Sequence, residues 1–151
     1  GVNVIGTVST DAKAEVARQH GATHTIVTSR EDTVARVKEI TGGKGVPVVY
    51  DSVGRDTWES SLNCLQPLGY MISFGNASGA VPPVNLGTLS QKGSLYVQRP
   101  TLMTYVADRA RLESMAADLF GVVASGQVKV NIHHRFALKD AAQAQTDLES
   151  Q

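Results

Sequence analysis

Cysteine is nearly missing from this chain, Cys64 being the single thiol in 151 residues. One cysteine cannot close an internal disulfide, so the fold is not stapled like a small secreted domain, and a reducing compartment, the cytoplasm, is expected. Cys64 falls on the apolar-leaning face of a predicted helix and reads as a buried, inert thiol; a reactive one needs an electropositive, partly exposed setting. Aromatic residues are scarce at 5%, and neither sign of charge is in excess, with Lys plus Arg and Asp plus Glu at 14 each. Lacking both a basic track and stacking platforms, the composition argues against a nucleic-acid partner. No apolar run approaches the roughly 18 residues of a spanning helix, and no basic stretch leads into an apolar one with a cleavage site, so neither membrane insertion nor secretion is expected. Metal ligands are sparse too. A zinc centre needs three or four convergent ligands, whereas His20 stands near a helix end, His24 after the Gly21-Ala22 turn, and His133 and His134 side by side in an extended stretch where neighbours face opposite ways. No metal site is expected. A G-x-G-x-x-G is also absent; Gly42, Gly43 and Gly45 follow the helical pattern of Val34, Val37 and Ile40 and read as its cap and the turn beyond it.

What is present is βα alternation. Val2 to Val8 reads as a strand, Ser9 to Asp11 as a turn capping a helix to about His20, Thr25 to Val27 as a short strand, and Thr33 to Thr41 as a helix. Val46, Val48, Val49 and Tyr50 form the near-continuous apolar run of a strand covered on both faces, ending at Asp51, Ser52, Val53 and Gly54. Trp58, Leu62 and Leu65 recur at helical spacing, Pro67 and Gly69 stop that helix, and Tyr70 to Phe74 form another strand ending in Gly75, Asn76 and Ala77. Pro82, Pro83, Gly87 and Gly93 mark a loop-rich connection to a strand at Ser94 to Gln98. Ala107 to Ser125 carries Leu112, Met115, Leu119 and Val122 or Val123 on one helical face, Val128 to Phe136 reads as extended, and Leu138 to about Ser150 as a last helix with Ala141, Ala144, Gln145 and Leu148 inward. Parallel strands joined by helices expose their carboxyl ends on one edge, where open α/β sheets bind ligands. Asp51, Tyr50 and Tyr70 are the titratable groups nearest that edge; Asp51 reads as a turn or helix-capping residue, and no proton donor or other catalytic residue is assigned. At the end of the first strand stand Thr7, Val8, Ser9 and Thr10, with Lys13 one turn into the helix. Two readings are open for them: a helix cap with a solvated lysine, or hydroxyls, free amides and an ammonium cradling a dianion.

The segments VIGTVST, EITGGKGVPVVYDSVGRDTWESSL, FGNASGAV, LSQKGSLYVQRPTL and LKDAAQAQTDLES, in this order and spanning essentially the whole chain, resemble the NADPH-dependent quinone oxidoreductases. These form the zinc-free branch of the medium-chain dehydrogenase/reductase superfamily that includes zeta-crystallin. The resemblance implies an α/β fold, a Rossmann-like doubly wound parallel sheet that is incomplete here, its first strand and glycine-rich loop lying outside this sequence. Whole members of the family are more than twice as long, so residues 1–151 are read as a partial dinucleotide-binding domain without the catalytic domain. In the strand order 3-2-1-4-5-6 the strand not found here is the central one. Either Val2 to Val8 and Val46 to Tyr50 close up and pair directly, or another segment or chain fills the slot.

The resemblance also implies a site. Ser9, Thr10 and Lys13 fall where the family holds the 2′-phosphate of NADPH, and no Asp or Glu stands there to select NADH. Thr28 occupies a position against the adenosine, where relatives often carry Tyr or His. Val53 and Gly54 line the adenine side, Phe74, Gly75 and Asn76 run past the nicotinamide ribose, and Pro100, Thr101 and Leu102 reach the carboxamide. Gly75 is expected to leave room for the cofactor to approach the backbone, and Gln151 replaces an arginine of the family. The implied reaction is hydride transfer from NADPH to a quinone or similar electron-poor acceptor, with the isolated chain inactive and a homodimer formed through the Ser94 to Gln98 strand. A non-catalytic dimerisation or interaction module, or another NADPH-dependent enone or alkenal reductase, are the alternatives.

Overall fold

Branched apolar runs and short helical stripes alternate along the first two thirds of the chain, and each becomes an element. In the computed structural model, which describes residues 1–132 and 134–149, these are β1 (Ile5–Val8), α1 (Asp11–Gln19), β2 (His24–Val27), α2 (Thr33–Ile40), β3 (Val46–Asp51), α3 (Trp58–Cys64), β4 (Leu65–Ser73), α4 (Leu86–Gln91) and β5 (Tyr96–Gln98). Residues 1–101 form one compact unit and residues 102–151 another. The second holds α5 (Leu102–Tyr105), α6 (Arg109–Ala124), a 3-10 turn at Leu138–Asp140 and α7 (Ala141–Glu149). His133, Ser150 and Gln151 lie outside the described residues, and with them the expectations placed on His133 and Gln151 and the end of the last helix at Ser150.

All strand pairs are parallel, as βα alternation requires. They form two sheets, β1-β2 and β3-β4-β5. The first alternative for the central slot, direct pairing, is not met: among the described residues β1 has a ladder partner in β2 alone and β3 in β4 alone. A cavity of about 830 Å3 separates them, lined by Ile5 and Thr7 on one hand and Val46, Val48 and Val49 on the other. On the β3-β4-β5 sheet the core lies on one face, whereas on β2 the neighbours Ile26 and Val27 are both buried, so both faces of that strand are covered. Leu62, Leu65, Met71 and Leu95 are buried together, and Ile26, Val37 and Cys64 form a second buried group; Val46 and Val49 pack against both. Burial pushes the Cys64 thiol up, as expected of an inert cysteine. On the opposite face Val48, Tyr70 and Tyr96 form one cross-strand row, and all three are exposed, the two tyrosine rings stacked at 4.6 Å.

Several elements differ from expectation. Val2 to Val4 fall outside β1, although the Val4 carbonyl still accepts from the Thr23 and His24 amides. Leu65 begins β4 instead of ending α3, because it is buried in the core opposite Val46. Pro67 and Gly69 therefore lie in a bulge between the Val46↔Leu65 and Val48↔Tyr70 pairs, where Leu68 takes φ 61°. The helices α4 and α5 were hidden in sequence, being too short to show a period; α4 is capped by Asn85, whose side chain accepts from the Gly87 amide at 2.8 Å. Val128 to Phe136 enters no ladder among the described residues. The apolar stripe of α6 forms as expected, but Leu112, Met115 and Leu119 are exposed, and so is Leu148 of α7.

Candidate functional site

At the carboxyl end of β1 the chain turns through Ser9 and Thr10 into α1. Thr10 is the N-cap: its backbone is extended and its hydroxyl oxygen accepts from the Lys13 amide at 3.3 Å. Lys13 itself is exposed, one turn into the helix. Asp11 does not cap; its carboxylate meets the Arg30 guanidinium at 2.6 Å. That hydrogen bond and the accompanying charge attraction hold the Arg30 pKa above its ordinary value. Both side chains are exposed, so the pair is loosely held and exchangeable. Arg30 thus joins Lys13 as a second cation at this end of the sheet, and sequence reasoning missed it because nothing local links positions 11 and 30. Thr28 spends both its amide (2.8 Å) and its hydroxyl (3.1 Å) on the Val8 carbonyl, tying β2 to β1. Its hydroxyl proton is therefore not available to a ligand.

The ends of β3 and β4 are organised by Asp51, which is 5% exposed. One carboxylate oxygen accepts from the Val53 and Gly54 amides at 2.8 and 3.0 Å, the other from the Thr57 and Ser61 hydroxyls, both at 2.7 Å. Burial alone would raise this carboxyl, but the hydrogen bonds from Ser61, Gly54, Thr57 and Val53 outweigh it and hold the group below its usual range. Asp51 is accordingly a charged turn organiser, as its sequence position suggested. Gly54 has φ +91°, and a Cβ there would stand 2.7 Å from the Gly79 carbonyl oxygen. Val53 is exposed, while its carbonyl accepts from both the amide and the hydroxyl of Ser78.

Phe74 is 51% exposed, so it is not the ordinary core aromatic that a strand end permits. The space argument for Gly75 needs correction. A Cβ at that position would lie 2.2 Å from the Ser52 carbonyl oxygen, so the close neighbour that requires glycine is the β3–α3 turn of the chain itself. Asn76 lies exposed just beyond, its carbonyl accepting from Gly79. Arg99, a residue that sequence reasoning passed over, donates from one guanidinium nitrogen to the Ser73 and Gly75 carbonyls at 3.0 and 2.9 Å. It ties the end of β5 to the Phe74–Asn76 loop. Pro100 is half-buried and Thr101 exposed at the end of the first unit; Leu102, 62% exposed, opens α5 in the second. The structure thus gathers Val53, Gly54, Phe74, Gly75 and Asn76 at adjacent strand ends and sets Ser9, Thr10, Lys13 and Thr28 at the ends of β1 and β2. Among the described residues no group of three or more His, Cys, Asp or Glu side chains is placed to hold a metal ion.

The zinc-binding dehydrogenase profile matches residues 1–119. A quinone oxidoreductase of Pseudomonas aeruginosa is 57% identical over 148 residues, 98% of this chain and 46% of that protein. A 2-haloacrylate reductase of a Burkholderia species is 45% identical across 95% of this chain and 44% of its own length. Among solved structures, Escherichia coli quinone oxidoreductase complexed with NADPH superposes with a TM-score of 0.92 at 55% identity, covering 98% of this chain and 46% of that one. The chain therefore spans about half the length of the relatives it matches. With the profile over most of its length, high identity to the quinone oxidoreductases and the same parallel α/β fold, this chain belongs to the zinc-binding dehydrogenase family and groups with its quinone oxidoreductases.

Proposed function

We propose that residues 1–151 are part of the dinucleotide-binding portion of an NADPH-dependent quinone oxidoreductase of the zeta-crystallin kind, working in the cytoplasm as a homodimer. The observation that carries this reading is the 57% identity to a quinone oxidoreductase along nearly the whole chain. The strand ends fit the cofactor's phosphate end: hydroxyls at Ser9 and Thr10, the opening amides of α1, Lys13 and the exchangeable Arg30, with no unpaired carboxylate between them. When bound, NADPH supplies the hydride that reduces an electron-poor acceptor. The chain's own residues bind and orient. Ser9, Thr10 and Lys13 hold the 2′-phosphate, with Thr28 beside the adenosine; Val53 and Gly54 line the adenine, Phe74, Gly75 and Asn76 the nicotinamide ribose, and Pro100, Thr101 and Leu102 the carboxamide. Asp51 and Arg99 keep the carrying turns in place. A second acceptor class is favoured by the 45% identity to 2-haloacrylate reductase: electron-poor alkenes in place of quinones.

The edge strand β5 supports the dimer. It pairs with β4 alone, and Tyr96 and Val97 are 51% and 40% exposed, so its free side can add a strand from a second molecule. A thermal-shift titration tests the cofactor assignment, since a ligand held by the native state alone raises its melting temperature. NADPH is expected to give a larger shift than NADH at equal concentration, and equal shifts would refute the 2′-phosphate assignment.

A further inference from the structure

β1 and β2 run parallel with Val8 opposite Val27, so the chain leaves both strands side by side on one edge. The third residue beyond each exit carries a charge, Asp11 after Val8 and Arg30 after Val27. The Thr28 amide on the Val8 carbonyl and the Arg30 and Glu31 amides on the Val27 carbonyl fix the turn that presents Arg30. Asp11 and Glu31 both stand beside its guanidinium. Glu31 is 3.9 Å away and already engaged, one oxygen accepting from the Val27 amide at 2.7 Å and the other lying 3.1 Å from the Arg36 guanidinium. Asp11 is the partner that can leave, since it meets a single nitrogen of the fork and its side chain is 76% exposed. On leaving it is not stranded, because a carboxylate in the first turn of α1 stays favoured by water and by the helix dipole.

We propose that Arg30 is a specificity-determining residue that exchanges the Asp11 carboxylate for the 2′-phosphate of NADPH. A phosphate brings roughly two negative charges and three oxygens, and an arginine fork takes two such oxygens at once. A ribose hydroxyl offers neither, so NADH leaves the Asp11–Arg30 pair closed. The exchange needs Lys13: with its ammonium present the phosphate outcompetes one exposed carboxylate, and without it Asp11 keeps the guanidinium. This role rests on the assignment of the 2′-phosphate to Ser9, Thr10 and Lys13, and adds to it the residue that turns binding into discrimination.

Adenosine 2′,5′-bisphosphate and 5′-AMP differ in that phosphate alone, and NMR titration of the chain with each gives the preference as a ratio of dissociation constants. Arg30→Ala is expected to cut this preference about fivefold, and Arg30→Lys by less, with 5′-AMP binding unchanged. Both side chains of the pair are exposed, so these variants should melt close to the parent. In the unaltered chain the Arg30 Nε signal should move with the bisphosphate and stay in place with 5′-AMP. Lys13→Ala abolishes the preference, adding Asp11→Asn restores part of it, and a further Arg30→Ala removes it again. A preference that Arg30→Ala leaves intact while Lys13→Ala abolishes it would overturn the exchange and leave the cofactor reading standing. Equal affinities in the unaltered chain would instead overturn that reading, and the exchange with it.

Discussion

Asp51 shows how a residue at a ligand edge can be structural. Its carboxylate gathers the Val53 and Gly54 amides and the Thr57 and Ser61 hydroxyls. Asp51→Asn turns one acceptor into a donor facing donors, and a cost of about 2 kcal/mol is expected, read as a lower urea midpoint. The pH dependence has a definite sign. Because the folded carboxyl titrates below its unfolded value, the unfolded chain binds the proton more readily. The stabilisation is complete above the ordinary carboxylate range and is lost as pH falls through the folded value. Acid titration of the Asn variant should show a smaller loss over that window than the unaltered chain; equal slopes would place the carboxylate outside the balance. Gly75 makes a separate point. An added methyl group meets the Ser52 carbonyl oxygen at 2.2 Å, backbone that cannot swing aside, so Gly75→Ala should destabilise by about 3 kcal/mol through overpacking. A melting temperature within a degree of the parent would show that this turn yields.

Among the elements, β5 carries the sharpest expectation. Its residues alternate poorly, both Tyr96 and Val97 are exposed, and neither proline nor charge blocks the edge until Arg99. Tyr96→Lys places a charge where a second chain would add, the usual protection of a free edge. The Tyr96→Lys variant should scatter as a monomer. A dimeric mass unchanged by that substitution would remove β5 from the account. Element order was largely legible in sequence, since α1, α2, α6 and α7 and every strand arise where apolar spacing or capping chemistry placed them. Short pieces were not. α4 has six residues and α5 four, below the length at which a helical period can be distinguished from chance, and β4 starts at Leu65 because the core claims that side chain.

For the molecule as a whole, the parts present limit the affinity. The phosphate end of the cofactor site is here, but no glycine fingerprint cradling a pyrophosphate occurs in the sequence. The surviving 2′-phosphate site contributes about 1 to 3 kcal/mol through its charge-assisted hydrogen bonds, against roughly 8 kcal/mol for micromolar binding. The chain as it stands is therefore expected to show no quinone reductase turnover and NADPH binding weaker than micromolar. Isothermal titration should find that Lys13→Ala abolishes the difference between NADPH and NADH. Micromolar NADH binding, or NADPH binding indifferent to the lysine, would show the cofactor to be misplaced.

Local chemistry determined the βα alternation, the strand ends at Val8 and Asp51, the cap at the start of α1, and a family resemblance that the 57% identity sustains. Each depends on residues within a turn or a strand of one another, or on motifs kept in order, and a sequence displays both. Only the tertiary structure decided that β1 and β3 stay apart, that Gly75 answers to Ser52, that Arg30 reaches Asp11 and that Arg99 holds the loop after β4. Those facts turn on atoms brought together from positions about twenty or more residues apart, where hydrogen-bond reach and van der Waals exclusion act through space and leave no local period to read.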